Sequence, residues 1–313
     1  MKEAYQLRDR IPLLQSSTRL EKIHKGYSGD DKYIVYDSDE RALYILRAFS
    51  IDQKHNKRLE FRCLNWMEQQ GVKCSRPIEI GVLPDQGLGY MIVSFIEGNE
   101  AAEELPLLTA EEQFNIGIEA GLQLRKIHQL RCPENMTPWY ERMAAKHHRY
   151  RIEYAKCGTM IKGEKRLLAF IDEHLHIMQD RPNLFQHDDF HVGNLIVNNG
   201  KLSGVIDFDR FDWGDPIHEF VKVGMFSSEV SVPFSVGQIF GYHDRKEPGE
   251  YFWQLYSLYL AMTLISSIVW ILKVKPEELE LMLAKIYRVM EDHENFSRIT
   301  PAWYSQSEAY PIF

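Results

Sequence analysis

Three side chains set the chemistry open to this chain: Asp189, Asn194 and Asp207. They lie in two short segments, Gln186-His187-Asp188-Asp189-Phe190-His191-Val192-Gly193-Asn194 and Val205-Ile206-Asp207-Phe208-Asp209. Phosphoryl transfer needs a carboxylate to hold an attacking hydroxyl, and an amide and a second carboxylate to hold Mg²⁺ against nucleotide phosphates. Between the segments stand an apolar run, Leu195-Ile196-Val197, and a tight-turn signal, Asn198-Asn199-Gly200, whose residues tolerate positive φ. Residues 202–208 read as the returning strand. Such a hairpin puts Asn194 at one strand's start and Asp207 at the other's end, with Asp189 on the loop before it.

Two other readings compete. His187 and His191 are four apart with carboxylates between them, a spacing that on a helix serves zinc proteases. Gly193, the strand-like run and the Asn-Asn-Gly turn argue for loop and hairpin there instead of helix. Either aspartate alone could be a turn residue; the joint spacing favours chemistry.

His187-x-Asp189 with Asn194, followed by Ile206-Asp207-Phe208-Asp209 and Gly214-Asp215-Pro216, resembles the aminoglycoside phosphotransferase family. That family groups aminoglycoside, macrolide and related small-molecule kinases. The resemblance implies a protein-kinase-like α+β fold of two lobes: a small antiparallel sheet with one helix, then a larger, mainly helical lobe. It implies Asp189 as catalytic base, with His187 bracing the catalytic loop. Asn194 and Asp207 become the Mg²⁺ ligands, Asp209 assists at the metal, and ATP or GTP is the phosphoryl donor. Asp215, just before Pro216, fits a helix N-cap, since Pro is tolerated at the first helical position. The family usually has Gly where this chain has Asp188. That extra carboxylate would raise the base's proton affinity or face a cationic substrate.

The elements that must position these groups are also legible. Residues 20–24, 32–36 and 42–49 read as three strands, joined by Gly26-Tyr27-Ser28-Gly29-Asp30 and Asp37-Ser38-Asp39-Glu40. Small residues in the first turn, Ser28 and Gly29 among them, let backbone N–H groups approach phosphates. In the third strand Arg47 stands where kinases keep a phosphate-gripping cation, usually Lys. An Arg fork can grip phosphate oxygens in bidentate fashion. A helical pattern runs from Ser50 to about Gln70, with Leu59, Cys63, Trp66 and Met67 spaced to face the sheet. Glu60 on that helix is the natural partner of Arg47, matching the ion pair that orients the phosphate-binding cation in kinases. Residues 78–83 and 89–95 read as two more strands, and Ile96-Glu97-Gly98 resembles a hinge. A nucleotide base would hydrogen-bond to backbone around Ser94, Phe95 and Ile96. These features set a nucleotide-binding lobe over residues 1–96 and a catalytic and substrate-binding lobe over 97–313.

Beyond the hinge, Thr109-Ala110-Glu111-Glu112 is a capping box opening a helix to about His128. Helical patterns follow over residues 138–155, 164–179, 232–242, 250–272 and 276–292. Residues 255–272 carry no charge and reach the length of a short membrane span, but Tyr, Ser and Thr dilute them, which favours a buried core helix.

Composition agrees with a globular protein. The 313 residues suffice for one or two domains, and a formal net charge of −8 argues against a nucleic-acid partner. The cysteines, Cys63, Cys74, Cys132 and Cys157, lack metal-like spacing and fit a reducing cytoplasm. The expected activity is Mg²⁺-dependent phosphorylation of a small-molecule hydroxyl, an aminoglycoside or macrolide antibiotic first, a metabolic sugar or amino-alcohol second. Glu219, Glu229, Asp244, Glu247 and Glu250 are the candidates for recognising a cationic acceptor; Phe252, Trp253, Tyr256 and Tyr259 beside them offer an apolar surface but read as core first, since such residues dominate interiors. A nucleotide-binding regulator without catalysis is disfavoured by intact Asp189, Asn194 and Asp207.

Overall fold

The computed structural model describes residues 7–24, 29–132 and 136–305. These form two compact units. One holds the described residues up to Asn99, with Ile196–Asn199 and Ser203–Asp209; the other holds Glu100–Leu195, Gly200–Leu202 and the described residues from Arg210 onward.

In the first unit, β1 (Arg19–Ile23), β2 (Asp31–Tyr36), β3 (Ala42–Ser50), β4 (Pro77–Leu83) and β5 (Leu88–Ser94) form an antiparallel sheet in the order β1-β2-β3-β5-β4. Successive side chains of a strand point to opposite faces. Leu46 and Ala48 of β3 thus join Leu20, Tyr33, Val35 and Ile92 in an apolar cluster with Ile11 and Leu14. The same alternation carries Arg47 to the other face, where it is buried.

Helix α1 (Lys54–Gln69) buries Lys57, Glu60, Cys63, Leu64 and Met67, a stripe of three- and four-residue steps. Here the structure corrects the expected face, because Leu59 and Trp66 are only half-buried. Two charged residues share the stripe, and a purely apolar reading of periodicity passes over them. The helix also begins later than Ser50, which ends β3; a 3-10 turn over Ile51–Gln53 intervenes.

The second unit is mainly helical: α2 (Ala110–Ile127), α3 (Trp139–Tyr154), α4 (Glu164–His174), α5 (Val232–Tyr242), α6 (Glu250–Val274) and α7 (Leu279–Asp292). The capping box forms as expected. Glu112 N–H donates to Thr109 Oγ1 at 3.3 Å, and Thr109 N–H donates to Glu112 Oε2 at 2.9 Å. Helices α2 and α5 cross through paired glycines. A Cβ on Gly117 would strike the Phe234 carbonyl oxygen, and one on Gly237 the Phe114 carbonyl oxygen. Helix α4 stops at His174 and the chain tightens into a 3-10 turn, Leu175–Met178, so the expected run to residue 179 is only partly α-helical. Helix α6 is long and apolar enough to cross a membrane, yet most of its central stretch is buried inside the protein. Its Tyr256 and Tyr259 are fully buried, with Leu255, Leu258 and Leu264 around them.

Four short strands frame the motif residues. β6 (Leu184–Gln186) pairs antiparallel with β9 (Asp212–Gly214). β7 (Leu195–Asn198) and β8 (Lys201–Val205) are neighbours in a sheet and are joined by Asn199 and Gly200, at φ 49° and 69°. Two consecutive left-handed residues make the turn that matches strand twist, as the sequence predicts. The returning strand is shorter than predicted. It ends at Val205, because Asp207 takes φ 65° and Phe208–Arg210 coil into a 3-10 turn. A left-handed residue cannot continue an extended ladder.

Candidate active site

Within the first unit, Arg47 sits at the centre of a buried charge cluster. Its Nη1 bonds Glu60 Oε1, while Nε and Nη2 both donate to Asp30 Oδ2 at 3.0 and 2.7 Å. Lys57 Nζ lies 2.6 Å from the same Asp30 oxygen and 3.2 Å from Glu60 Oε2. Asp207 Oδ1 is 4.0 Å and Asp209 Oδ2 3.7 Å from the guanidinium, and Lys32 Nζ reaches Asp207 Oδ2 at 3.4 Å. Burial works against the Arg47 charge, but Glu60, Asp30 and Asp207 outweigh it and hold the guanidinium protonated. For Asp209 burial and the neighbouring carboxylates of Asp207 and Glu60 act together, pushing its carboxyl up to about 6. The strain of a left-handed aspartate at Asp207, beside this surplus of negative charge, is typical of a functional position.

Within the second unit, Asp189 lies on the loop between β6 and a 3-10 turn, Val192–Asn194. His187, wholly buried, accepts the Asp189 N–H on Nδ1 at 3.3 Å. Glu219, also buried, accepts the Asp188 N–H at 2.9 Å and the Phe190 N–H at 3.1 Å. Burial opposes the Glu219 charge, yet His128 and His187 beside it keep the carboxyl below its usual range. The Asn194 amide nitrogen donates to the Asp189 carbonyl at 2.9 Å, which turns the amide oxygen away as the acceptor end. His187 and His191 do not share a helical turn; His191 accepts the Gly193 N–H at 3.1 Å.

The Asp189 carboxylate faces two cations and an imidazole. Lys222 Nζ donates to Oδ1 at 2.8 Å, Arg210 Nε stands 3.9 Å from Oδ2, and His191 Nε2 lies 3.6 Å from Oδ1. Burial would raise the Asp189 carboxyl, but Lys222, His191 and Arg210 hold it below the ordinary carboxylate range. Burial pushes His191 down to about 4, so its imidazole is neutral at pH 7. Asp188, at φ 58°, turns its carboxylate towards His218, 3.5 Å away. Burial opposes that charge too, but His218, Lys222 and Lys146 bring it down to about 2. Asp215 behaves as the predicted cap: it accepts the Ile217 N–H at 3.0 Å and is gripped by Arg181 at 2.6 and 2.8 Å.

The expected residues thus fall into two sets. Arg47, Glu60, Asp207 and Asp209 meet in the first unit, and His187, Asp189 and Asn194 in the second. Ser28 lies outside the described residues. A Cβ on Gly29 would meet nothing within 4 Å, so that position is open. At the hinge, Ser94 N–H donates to the Arg76 carbonyl and Phe95 N–H to the Leu43 carbonyl, both at 2.9 Å. Of the three residues expected to meet the base, Ser94 and Phe95 therefore already have their amides engaged. Sequence reading missed Asp30 and Lys57, and mistook Glu219 for a substrate-facing carboxylate when it braces the loop. Lys57 carried a signal, three residues before Glu60 on one helix face; Lys222 carried none.

Among the described residues no group of three or more His, Cys, Asp or Glu side chains is arranged to hold a metal ion. The donor chemistry nevertheless suits Mg²⁺, a hard cation that takes one or two carboxylates and leaves other positions to water and phosphate. The raised Asp209 carboxyl marks negative charge that such an ion would neutralise.

A model of the phosphotransferase enzyme family, APH, matches residues 19–254. The chain belongs to this family. It is therefore a phosphotransferase of the small-molecule kinase class, as the motif predicts. No curated protein matches its sequence. Among solved structures it is similar to aminoglycoside phosphotransferase APH(4)-Ia, with 15% identity and a TM-score of 0.68 over 92% of this chain and 98% of that one. It is also similar to a GDP complex of aminoglycoside 2'-phosphotransferase-IIIa, with 12% identity and a TM-score of 0.69 over 96% and 100%. A third, ADP-bound APH(2'')-Ib, has 14% identity and a TM-score of 0.62 over 97% and 98%. These likenesses are of fold: this family member has the protein-kinase-like α+β architecture.

Proposed function

We propose that this phosphotransferase moves the γ-phosphate of ATP or GTP to a hydroxyl of a small molecule, with Asp189 holding the acceptor. The observation that carries the reading is the setting of Asp189. Its carboxylate is kept ionised by Lys222 at 2.8 Å, on a loop tied at its backbone by His187 and Glu219. A carboxylate of low proton affinity accepts a hydrogen bond and aligns the hydroxyl with the γ-phosphorus. It takes the proton only once transfer is well advanced, as a loose transition state requires. In this reading residues 1–96 bind the nucleotide and residues 97–313 the acceptor, inside the cytoplasm. Arg47, oriented by Glu60, grips phosphate oxygens; the turn through Gly29, with Ser28 assigned to it from sequence alone, offers backbone N–H groups to them; and the base meets the Ser94–Ile96 backbone. Asn194, Asp207 and Asp209 would hold Mg²⁺, which when bound neutralises phosphate charge.

An antibiotic acceptor, aminoglycoside or macrolide, is what the family suggests. A neutral metabolic acceptor, such as a sugar, is a second reading with specific support. The carboxylates expected to meet a polycation are engaged elsewhere: Glu229 with Lys285, Asp244 with Arg125 at 3.0 Å, Glu247 with the Tyr304 hydroxyl at 2.8 Å. Phe252, Trp253, Tyr256 and Tyr259 are buried in the core. Two cations, Lys222 and Arg210, stand beside Asp189 and suit a polycation poorly.

The test is acceptor-dependent consumption of ATP and of GTP across aminoglycosides, macrolides and sugar alcohols. Asp189→Asn should lower turnover about 10²–10⁴-fold, the range of a lost general base, while nucleotide binding stays within about twofold. Unchanged turnover in that variant would remove Asp189 from its role.

A further inference from the structure

Arg47 is read above as the cation that grips nucleotide phosphate, yet its fork is already occupied. Nε and Nη2 converge on one Asp30 oxygen and Nη1 on Glu60. Lys57 adds its ammonium to the same Asp30 oxygen at 2.6 Å. The side chains of Asp30, Arg47 and Lys57 are 2%, 7% and 8% exposed, so this contact is interior and water does not weaken it. An anionic oxygen held by an Arg fork and a Lys ammonium has the surroundings of a bound phosphate oxygen. Glu60 sits mid-helix on α1, where the helix fixes its backbone and both Arg47 and Lys57 hold its carboxylate. Asp30 precedes β2, whose pairing begins at Asp31, so it can withdraw without breaking the sheet.

We propose that Asp30 is a built-in stand-in for a nucleotide phosphate. Its carboxylate holds Arg47 and Lys57 together, and a phosphate oxygen of the incoming nucleotide displaces it. Lys57 then serves as a second phosphate-binding cation beside Arg47. The inference rests on the nucleotide-binding reading of Arg47. Because the competent state requires Asp30 to leave, the observed affinity is lower than the two cations would supply.

Calorimetric titration of the full chain with the Mg²⁺ complexes of ADP and of non-hydrolysable ATP and GTP analogues tests it. Asp30→Asn should bind about tenfold tighter and Lys57→Met about tenfold weaker, with the double variant losing the gain. Unchanged or weaker binding by Asp30→Asn would overturn the proposal, leaving Asp30 as a scaffold for Arg47. Should that variant fail to fold, a nucleotide-bound structure of the unaltered chain decides. Asp30 withdrawn, with a phosphate oxygen on Arg47 and Lys57, supports displacement; Asp30 still on both cations refutes it. If the unaltered chain binds neither nucleotide, the parent reading fails as well.

Discussion

The two units solve the same electrostatic problem with opposite signs. In the first, two buried cations, Arg47 and Lys57, are enclosed by the carboxylates of Asp30, Glu60, Asp207 and Asp209. In the second, two carboxylates, Asp188 and Asp189, are enclosed by Lys222, Arg210 and the imidazoles of His191 and His218. In the first unit burial and a surplus of negative charge drive the Asp209 carboxyl up; in the second, cations and imidazoles beside each carboxylate hold Asp188 and Asp189 down against burial. A negative surplus awaits a cation. A carboxylate paired with a cation stays ionised at neutral pH, as the proposed role of Asp189 requires.

The sharpest way to break this contrast is to remove one cation from each unit. Arg47→Met strands Asp30 and Glu60 in the interior with Lys57 as their remaining cation. It should lower unfolding free energy by about 3–5 kcal/mol, as expected when a buried ion pair loses one member. Lys222→Met leaves the half-buried Asp189 with Arg210 still nearby and should cost less, about 1.5–3 kcal/mol, the range of one hydrogen bond to a charged group. Its effect should appear in activity. Without Lys222 the Asp189 carboxyl rises, so the acid limb of kcat/KM moves to higher pH. Equal stability losses in urea unfolding of the two variants would end the distinction.

Helix packing supplies a control outside the charged groups. Gly237→Ala forces a Cβ onto the Phe114 carbonyl and should destabilise the second unit by about 1–3 kcal/mol, leaving nucleotide affinity near its original value. A variant as stable as the parent would show that α2 and α5 can separate freely.

The smallest effects are in pH dependence, and their signs differ between the units. The Asp209 carboxyl is near 6 when folded, above the value of about 4 for an unfolded aspartate, so folding favours its protonated form. Its contribution to stability is present below about pH 4 and is lost as pH rises towards 6. The Asp188 carboxyl is near 2 when folded, so its contribution is present above about pH 4 and is lost as pH falls towards 2. Asp209→Asn should flatten the upper limb of a stability-against-pH curve from urea unfolding, and Asp188→Asn the lower one. Exchange of those two outcomes would reverse the assignment.

Much of this was written locally in the chain. Alternating strands, the Thr109 capping box and the Asn199-Gly200 turn depend on neighbours within a few residues, and all formed. The Arg47–Glu60 pair was legible through the resemblance to the kinase ion pair, helped by an inward-facing Glu60 among apolar neighbours. Lys57 was harder to see, since lysine in an amphipathic pattern reads as solvent-facing until a buried carboxylate is known to await it. Asp30 read as an ordinary turn residue for the same reason. Glu219 looked like one acidic residue among several, because the two backbone amides it accepts lie about thirty positions earlier.

Sequence alone determined the element order, the hairpin turn and the set of residue types that phosphoryl transfer requires. These follow from backbone preference and from chemistry carried by individual side chains. Tertiary structure alone decided where charge accumulates: that Asp30, Asp207 and Asp209 join Glu60 around Arg47, that Lys222 meets Asp189, and that Asp207 leaves its strand in a left-handed turn. Those outcomes depend on distances between residues remote in the chain and on the water that burial removes, and neither quantity exists until the chain is folded.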